Sequence, residues 1–139
     1  MIALDRILAL NISLIALGIV AASAVAGEVQ WRHLSSRTGD LPAPGNSNEQ
    51  TVSLILGIDR DGVNDFVIAA RQRAPSLVWC RRTPNGWTRH VIGRDFLPLE
   101  AGGTFADLDG DGRLDILAKP YTWDTPRINL WLNQGIRNP

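Results

Sequence analysis

The sequence predicts an all-β fold made of two copies of one four-stranded antiparallel unit, and three observations carry that prediction. Short runs of strand-forming residues are separated by Gly, Pro and Asn turn signals, and no 11-residue stretch beyond residue 26 keeps a helical period. An acidic, glycine-punctuated stretch occurs twice, Asp61-Gly-Val-Asn-Asp65-Phe-Val matching Asp111-Gly-Arg-Leu-Asp115-Ile-Leu at an offset of 50. Leu77-Val-Trp79 and Asn129-Leu-Trp131 then follow in the same order at an offset of 52.

The chain opens on a different material. From Ile7 to Val25 it is almost wholly apolar, interrupted by Asn11 and Ser13, and the run ends in Ala24-Val25-Ala26. Small residues at the first and third places of that triplet fit a signal-peptidase site, so residues 1–26 are expected to be a signal peptide. Arg6 is offset by Asp5, and a run of this length approaches the ~20 residues that span a bilayer, so the alternative is an uncleaved N-terminal anchor. Either way the remainder is expected outside the cytoplasm, periplasmic or extracellular, or membrane-anchored in the second case. Residues 27–139, 113 in number, form one small two-repeat domain.

Lys+Arg and Asp+Glu balance at 14 each, which removes the electrostatic case for nucleic acid. Cys80 is the only cysteine, so no intrachain disulfide forms and no zinc site is supported. It is expected to be a buried thiol acting as a small hydrophobe.

In chain order, the first copy is expected to supply strands at Val52–Ile58, Phe66–Ala70, Leu77–Arg81 and Trp87–Ile92, the last two joined by the Pro84-Asn-Gly86 turn. The second copy supplies Gly103–Leu108, Ile116–Lys119 and Ile128–Asn133, without a fourth strand. Val29–Ser35, whose Arg32-His-Leu echoes Arg89-His-Val, reads as an isolated fourth strand.

Asp107-Leu-Asp-Gly-Asp-Gly-Arg-Leu-Asp115 is the stretch that carries chemistry. Ca²⁺ takes about 6–8 oxygen ligands, and a short loop supplies them when alternate side chains point inward while the backbone curls around the ion. Asp107, Asp109 and Asp111 have that alternation, Gly110 and Gly112 permit the curl, the carbonyl of Arg113 is placed as a backbone ligand, and Asp115 closes the cage from the next strand. An EF-hand is excluded: its closing glutamate is absent and neither flank reads as a helix. In the first copy Asp59, Asp61, Val63 and Asp65 hold the corresponding places, but Gly57 stands for Asp107 and Arg60 for Gly110. With one ligand lost and a cation nearby, that loop is expected to be a weaker metal site.

A four-stranded unit of about 50 residues repeated in fixed internal order is what a β-propeller blade requires, and the chain holds about two blade equivalents, a partial propeller. Phe105-Ala-Asp-Leu-Asp-Gly-Asp-Gly-Arg-Leu-Asp-Ile-Leu followed by Leu130-Trp-Leu-Asn-Gln-Gly135 resembles the FG-GAP/VCBS-type repeat of secreted bacterial proteins and of integrin α-chain heads. The resemblance implies that the acidic loop joins the first two strands of a blade and binds Ca²⁺. It implies a fold and a cation; it does not imply an activity.

Trp79, Trp87 and Trp131 are expected to be buried between blades. Tyr121, Trp123, Asp124 and Arg127 lie in a long, proline-bounded connection whose aromatics and polar groups suit stacking on a sugar ring, so they are candidate ligand-binding residues. His33 and His90 have no nucleophile placed beside them, and no catalytic constellation emerges. The expected function is therefore an exported Ca²⁺-binding module, a binding or scaffold unit for carbohydrate or protein, with the metal structural. The alternative is a fragment or accessory part of a secreted polysaccharide-acting enzyme. Too few blades to close a ring leave unpaired edges, so self-association that completes the propeller is a further expectation.

Overall fold

Seven strands in two antiparallel meanders make up the domain seen in the computed structural model, which describes residues 27–122 and 126–136. The candidate signal segment, Trp123 and Asp124 lie outside the described residues. The first sheet has the order β1(Gln50–Leu56), β2(Asp65–Ala70), β3(Leu77–Thr83), β4(Gly86–Gly93), each strand paired with the next. The second has β5(Leu99–Ala106), β6(Asp115–Pro120), β7(Asn129–Trp131) in the same consecutive order. No helix occurs among the described residues, and the architecture is that of two propeller-type blades, not closed into a ring.

The expected strands all form, with ends shifted by up to a few residues. The exception lies at the start: no strand forms over residues 29–35, and the chain first enters a ladder at Gln50. Three residues that echo β4 are too weak a signal to make a strand where no partner edge receives them.

Alternation gives each sheet two faces. In the first sheet Val52, Leu54 and Leu56 of β1 share a face with Val67 and Ala69 of β2 and with Leu77 and Trp79 of β3, through the pairs Leu54↔Val67 and Val67↔Trp79. This face packs on Leu99, Ile116 and Ala118 of the second sheet, and together they form the core. β1 and β5 approach closely. A Cβ added to Gly103 would lie 3.1 Å from Val52 Cγ1 and 3.2 Å from the Leu117 carbonyl oxygen, and Thr51 Oγ1 donates to the Leu99 carbonyl at 2.8 Å.

The contact between the sheets joins unlike faces, and the register shows it. Asp65 and Asp115 are equivalent, so Val67 corresponds to Leu117 and Phe66 to Ile116. Cys80 pairs with Phe66, whereas Trp131 pairs with Ile116. Trp131 therefore corresponds to Cys80, an offset of 51, and the tryptophan match at 52 is one residue out. A one-residue slip turns a side chain to the other face, so Trp79 and Trp131 are not equivalent. They approach the gap between the sheets from opposite sides, both half-buried against the core.

The two remaining faces differ. On the outer face of the first sheet, Val78 and Cys80 are each only 1 % exposed; a strap of residues 41–44 lines a cleft there with Phe66, Ile68 and Cys80, and Arg89 Nε donates to the Pro44 carbonyl at 3.1 Å. Burial also raises the Cys80 thiol pKa above its ordinary value. The outer face of the second sheet carries Leu117 and Leu130, a cross-strand pair. Leu130 is 47 % and its neighbour Ile128 70 % exposed, where their counterparts on the first sheet lie under the second.

Candidate metal centre

The acidic stretch Asp107–Asp115 joins β5 to β6. Gly110 (φ 78°) and Gly112 (φ 80°) take the left-handed conformation that lets the chain curl. The carboxylates organise the loop through backbone donors. Asp107 accepts from Gly110 N and Gly112 N, both at 2.8 Å. Asp109 accepts from Asp111 N at 3.3 Å and Asp111 from Arg113 N at 2.8 Å. Asp115, fully buried, accepts from Leu108 N at 2.9 Å and from Asn133 N at 2.8 Å. It thus staples the beginning of the loop to the residues after β7. Those donors, Asn133 first and Leu108 second, hold its pKa below the ordinary carboxylate value against the opposing effect of burial.

Asp107, Asp109 and Asp115 bring one carboxylate oxygen each to within 4.8 Å of the others, the one such group of potential ligands among the described residues. All three donors are hard oxygens, the set that a Ca²⁺ or Mg²⁺ ion takes, so the residues fit a divalent cation. Asp111 stands apart from this group. Its carboxylate is turned to the Arg113 guanidinium, which also reaches the Asn133 carbonyl.

The loop of the first sheet, between β1 and β2, has the same backbone but a different filling. Arg60 (φ 64°) and Gly62 (φ 86°) repeat the conformations of Gly110 and Gly112. Asp61 N donates to Asp59 at 3.2 Å and Val63 N to Asp61 at 2.9 Å. Asp65, 1 % exposed, accepts from Arg82 N at 2.7 Å and Ile58 N at 3.4 Å, as Asp115 does from its counterparts. It accepts a third bond, 2.9 Å, from the indole Nε1 of Trp79. Arg81 from β3 lies 2.5 Å by its Nε from Asp59 and 3.8 Å by Nη2 from Asp61. The two loops also touch: Arg60 donates to the Gly112 carbonyl, and Asn133 Nδ2 to the Ile58 carbonyl at 3.2 Å.

Beside these loops, Trp79, Trp131, Ile116, Leu114, Arg60 and Asn133 border a mainly apolar cavity of about 380 Å³ between the sheets. Of the candidate sugar-binding residues, Tyr121 has the Arg71 guanidinium 4.6 Å from its ring centre, while Arg127 lies beside Ile128 and Leu117 at the second sheet's outer face. Asn133 and Arg81, whose side chains reach the two loops, are not apparent from the acidic spacing. Asn133 lies within the Leu130–Gly135 stretch that carries the resemblance; nothing in the sequence marks Arg81.

Two consecutive meanders, of four and three strands, each with an acidic loop between its first two strands and packed face to back, define a propeller-type repeat architecture. Residues 58–118, from the first acidic loop into β6, match the family model described as an FG-GAP-like repeat. Over that span the chain carries an FG-GAP-like repeat. No curated protein and no solved structure gives a significant match.

Proposed function

We propose that this chain is an exported calcium-binding module that serves as a binding or scaffold unit, with its calcium structural. The observation that carries this reading is the convergence of Asp107, Asp109 and Asp115 to within 4.8 Å. Three carboxylates so close repel one another without a cation, and Asp115 already ties β6 to the residues after β7. A cation held there by these three carboxylates, with the Arg113 carbonyl adding to its shell, pins the corner of the second blade. The apolar run before Gly27 supports export.

Binding occurs through the open outer face of the second sheet, where Ile128 and Leu130 lie exposed beside the half-buried Leu117, and the partner is a second copy of the chain. The corresponding face of the first sheet supports this, since there the chain itself supplies an apolar cover. A carbohydrate site at Tyr121 has less support, because Arg71 already lies over that ring.

Thermal unfolding with and without Ca²⁺ tests the metal. At about 100 times its Kd a ligand adds about 2.7 kcal/mol, equivalent to a rise in Tm of about 10 °C for a domain of this size. Asp109→Ala removes that rise. A wild-type Tm unchanged by chelator rejects the reading.

A further inference from the structure

We propose that in the first acidic loop the guanidinium of Arg81 takes the place of the metal, so that the protein carries one divalent-cation site and one built-in organic cation. The inference rests on the reading of Asp107–Asp115 as the metal loop only for its count of one; what it says of the first loop stands on the first loop's own geometry.

The two loops match in backbone conformation and in their turn hydrogen bonds, so a difference in filling is not a difference in shape. What differs is the charge. Gly57 removes the carboxylate that corresponds to Asp107, leaving Asp59, Asp61 and Asp65. The Asp59 side chain is only 2 % exposed. A buried carboxylate without a compensating charge is strongly unfavourable, so such groups are found paired or holding a metal. Here Arg81 Nε lies 2.5 Å from Asp59 Oδ2, and Nη2 lies 3.8 Å from Asp61 Oδ2. Asp65, which closes the loop, has its oxygens committed to Trp79 Nε1, Arg82 N and Ile58 N. A metal ion in this loop must displace the guanidinium from Asp59, and the two cations repel at that distance.

The second sheet supplies the complementary arrangement. By register the residue equivalent to Arg81 is Leu132, which follows Trp131 as Arg81 follows Cys80. Leu132 brings no charge to Asp109 or Asp111. The loop with the full aspartate set has a leucine at this position, and the loop that has lost an aspartate has an arginine. Arg113 does not play the same part, because it pairs with Asp111 and leaves the converging trio of Asp107, Asp109 and Asp115 free of guanidinium.

Two measurements on the full chain test the proposal. Calorimetric titration with Ca²⁺ is expected to give one site for wild type, one for Asp59→Ala and none for Asp109→Ala. Adding Gly57→Asp and Arg81→Leu to Asp109→Ala restores one site, now in the first loop. Calcium retained by Asp109→Ala and lost on further change of Asp59 overturns the proposal, as does failure of the triple variant, if folded, to bind. The second measurement needs no calcium. In excess chelator Arg81→Leu lowers the Tm by about 5 °C or more, and combining it with Asp59→Asn recovers most of the loss, because the buried charge goes with its partner. An unchanged Tm for Arg81→Leu overturns the proposal. A wild type that binds no Ca²⁺ at all rejects the metal reading of the second loop and leaves this chelator result to decide the first.

Discussion

Arg60 occupies a left-handed position, φ 64°, that the second loop assigns to Gly110. A side chain with a Cβ costs about 1–2 kcal/mol there relative to the right-handed region, and the interloop bond to the Gly112 carbonyl is what offsets it. Arg60→Ala keeps the backbone cost and loses the bond; Arg60→Gly loses both. Arg60→Gly is therefore expected to be about 1 kcal/mol more stable than Arg60→Ala in urea unfolding, and equal stabilities would mean that the residue leaves the left-handed region. At this scale the sequence was legible where chemistry follows spacing, as with Asp107, Asp109 and Asp115. It was not legible where a side chain's partner depends on strand register. Arg81 stands 22 residues beyond Asp59 in the chain, and only the turn of β3 brings it into the loop.

At the scale of the elements, the strands themselves were readable from alternation and turn residues, but equivalence between the repeats was not. The tryptophan match placed Trp131 opposite Trp79, whereas pairing with Ile116 puts it on the face of Cys80. Sequence similarity favours the bulky residue; the ladder counts hydrogen-bonded places, and the residue count between Asp115 and Trp131 exceeds that between Asp65 and Trp79. The face-to-back contact that results depends on the close approach of β1 and β5. Gly103→Val puts its side chain against Val52 Cγ1, 3.1 Å from the new Cβ, and against the Leu117 carbonyl, which cannot give way without moving β6. A loss of about 1–3 kcal/mol is expected, read from urea unfolding. A neutral effect would show that the two innermost strands separate freely.

Over the whole molecule, the echo of β4 in Arg32-His-Leu suggested a displaced strand, yet the segment that does structural work lies further on. Leu41, Pro42 and Pro44 pack beside Phe66, Ile68 and Cys80 without joining a ladder, which suits prolines, since they cannot donate to one. The opposite outer face, with Leu117 and Leu130, has no such cover among the described residues. If copies associate through it as proposed, sedimentation velocity will show a concentration-dependent dimer, and Leu130→Glu, on a side chain already 47 % exposed, will give monomer with little change in Tm. A dimer unaffected by Leu130→Glu would place the contact elsewhere.

The strap has a further consequence for how far association can proceed. Blades stack by offering one kind of face to the other kind, so a piece with both faces bare would add copies at either end without limit, as a fibre or a ring. This chain has its own residues 41–44 lying on one of those faces. If copies associate as proposed, they meet bare face to bare face. Association of that kind is expected to stop at two copies, because a few residues that form no strand lie at the face that would extend the stack.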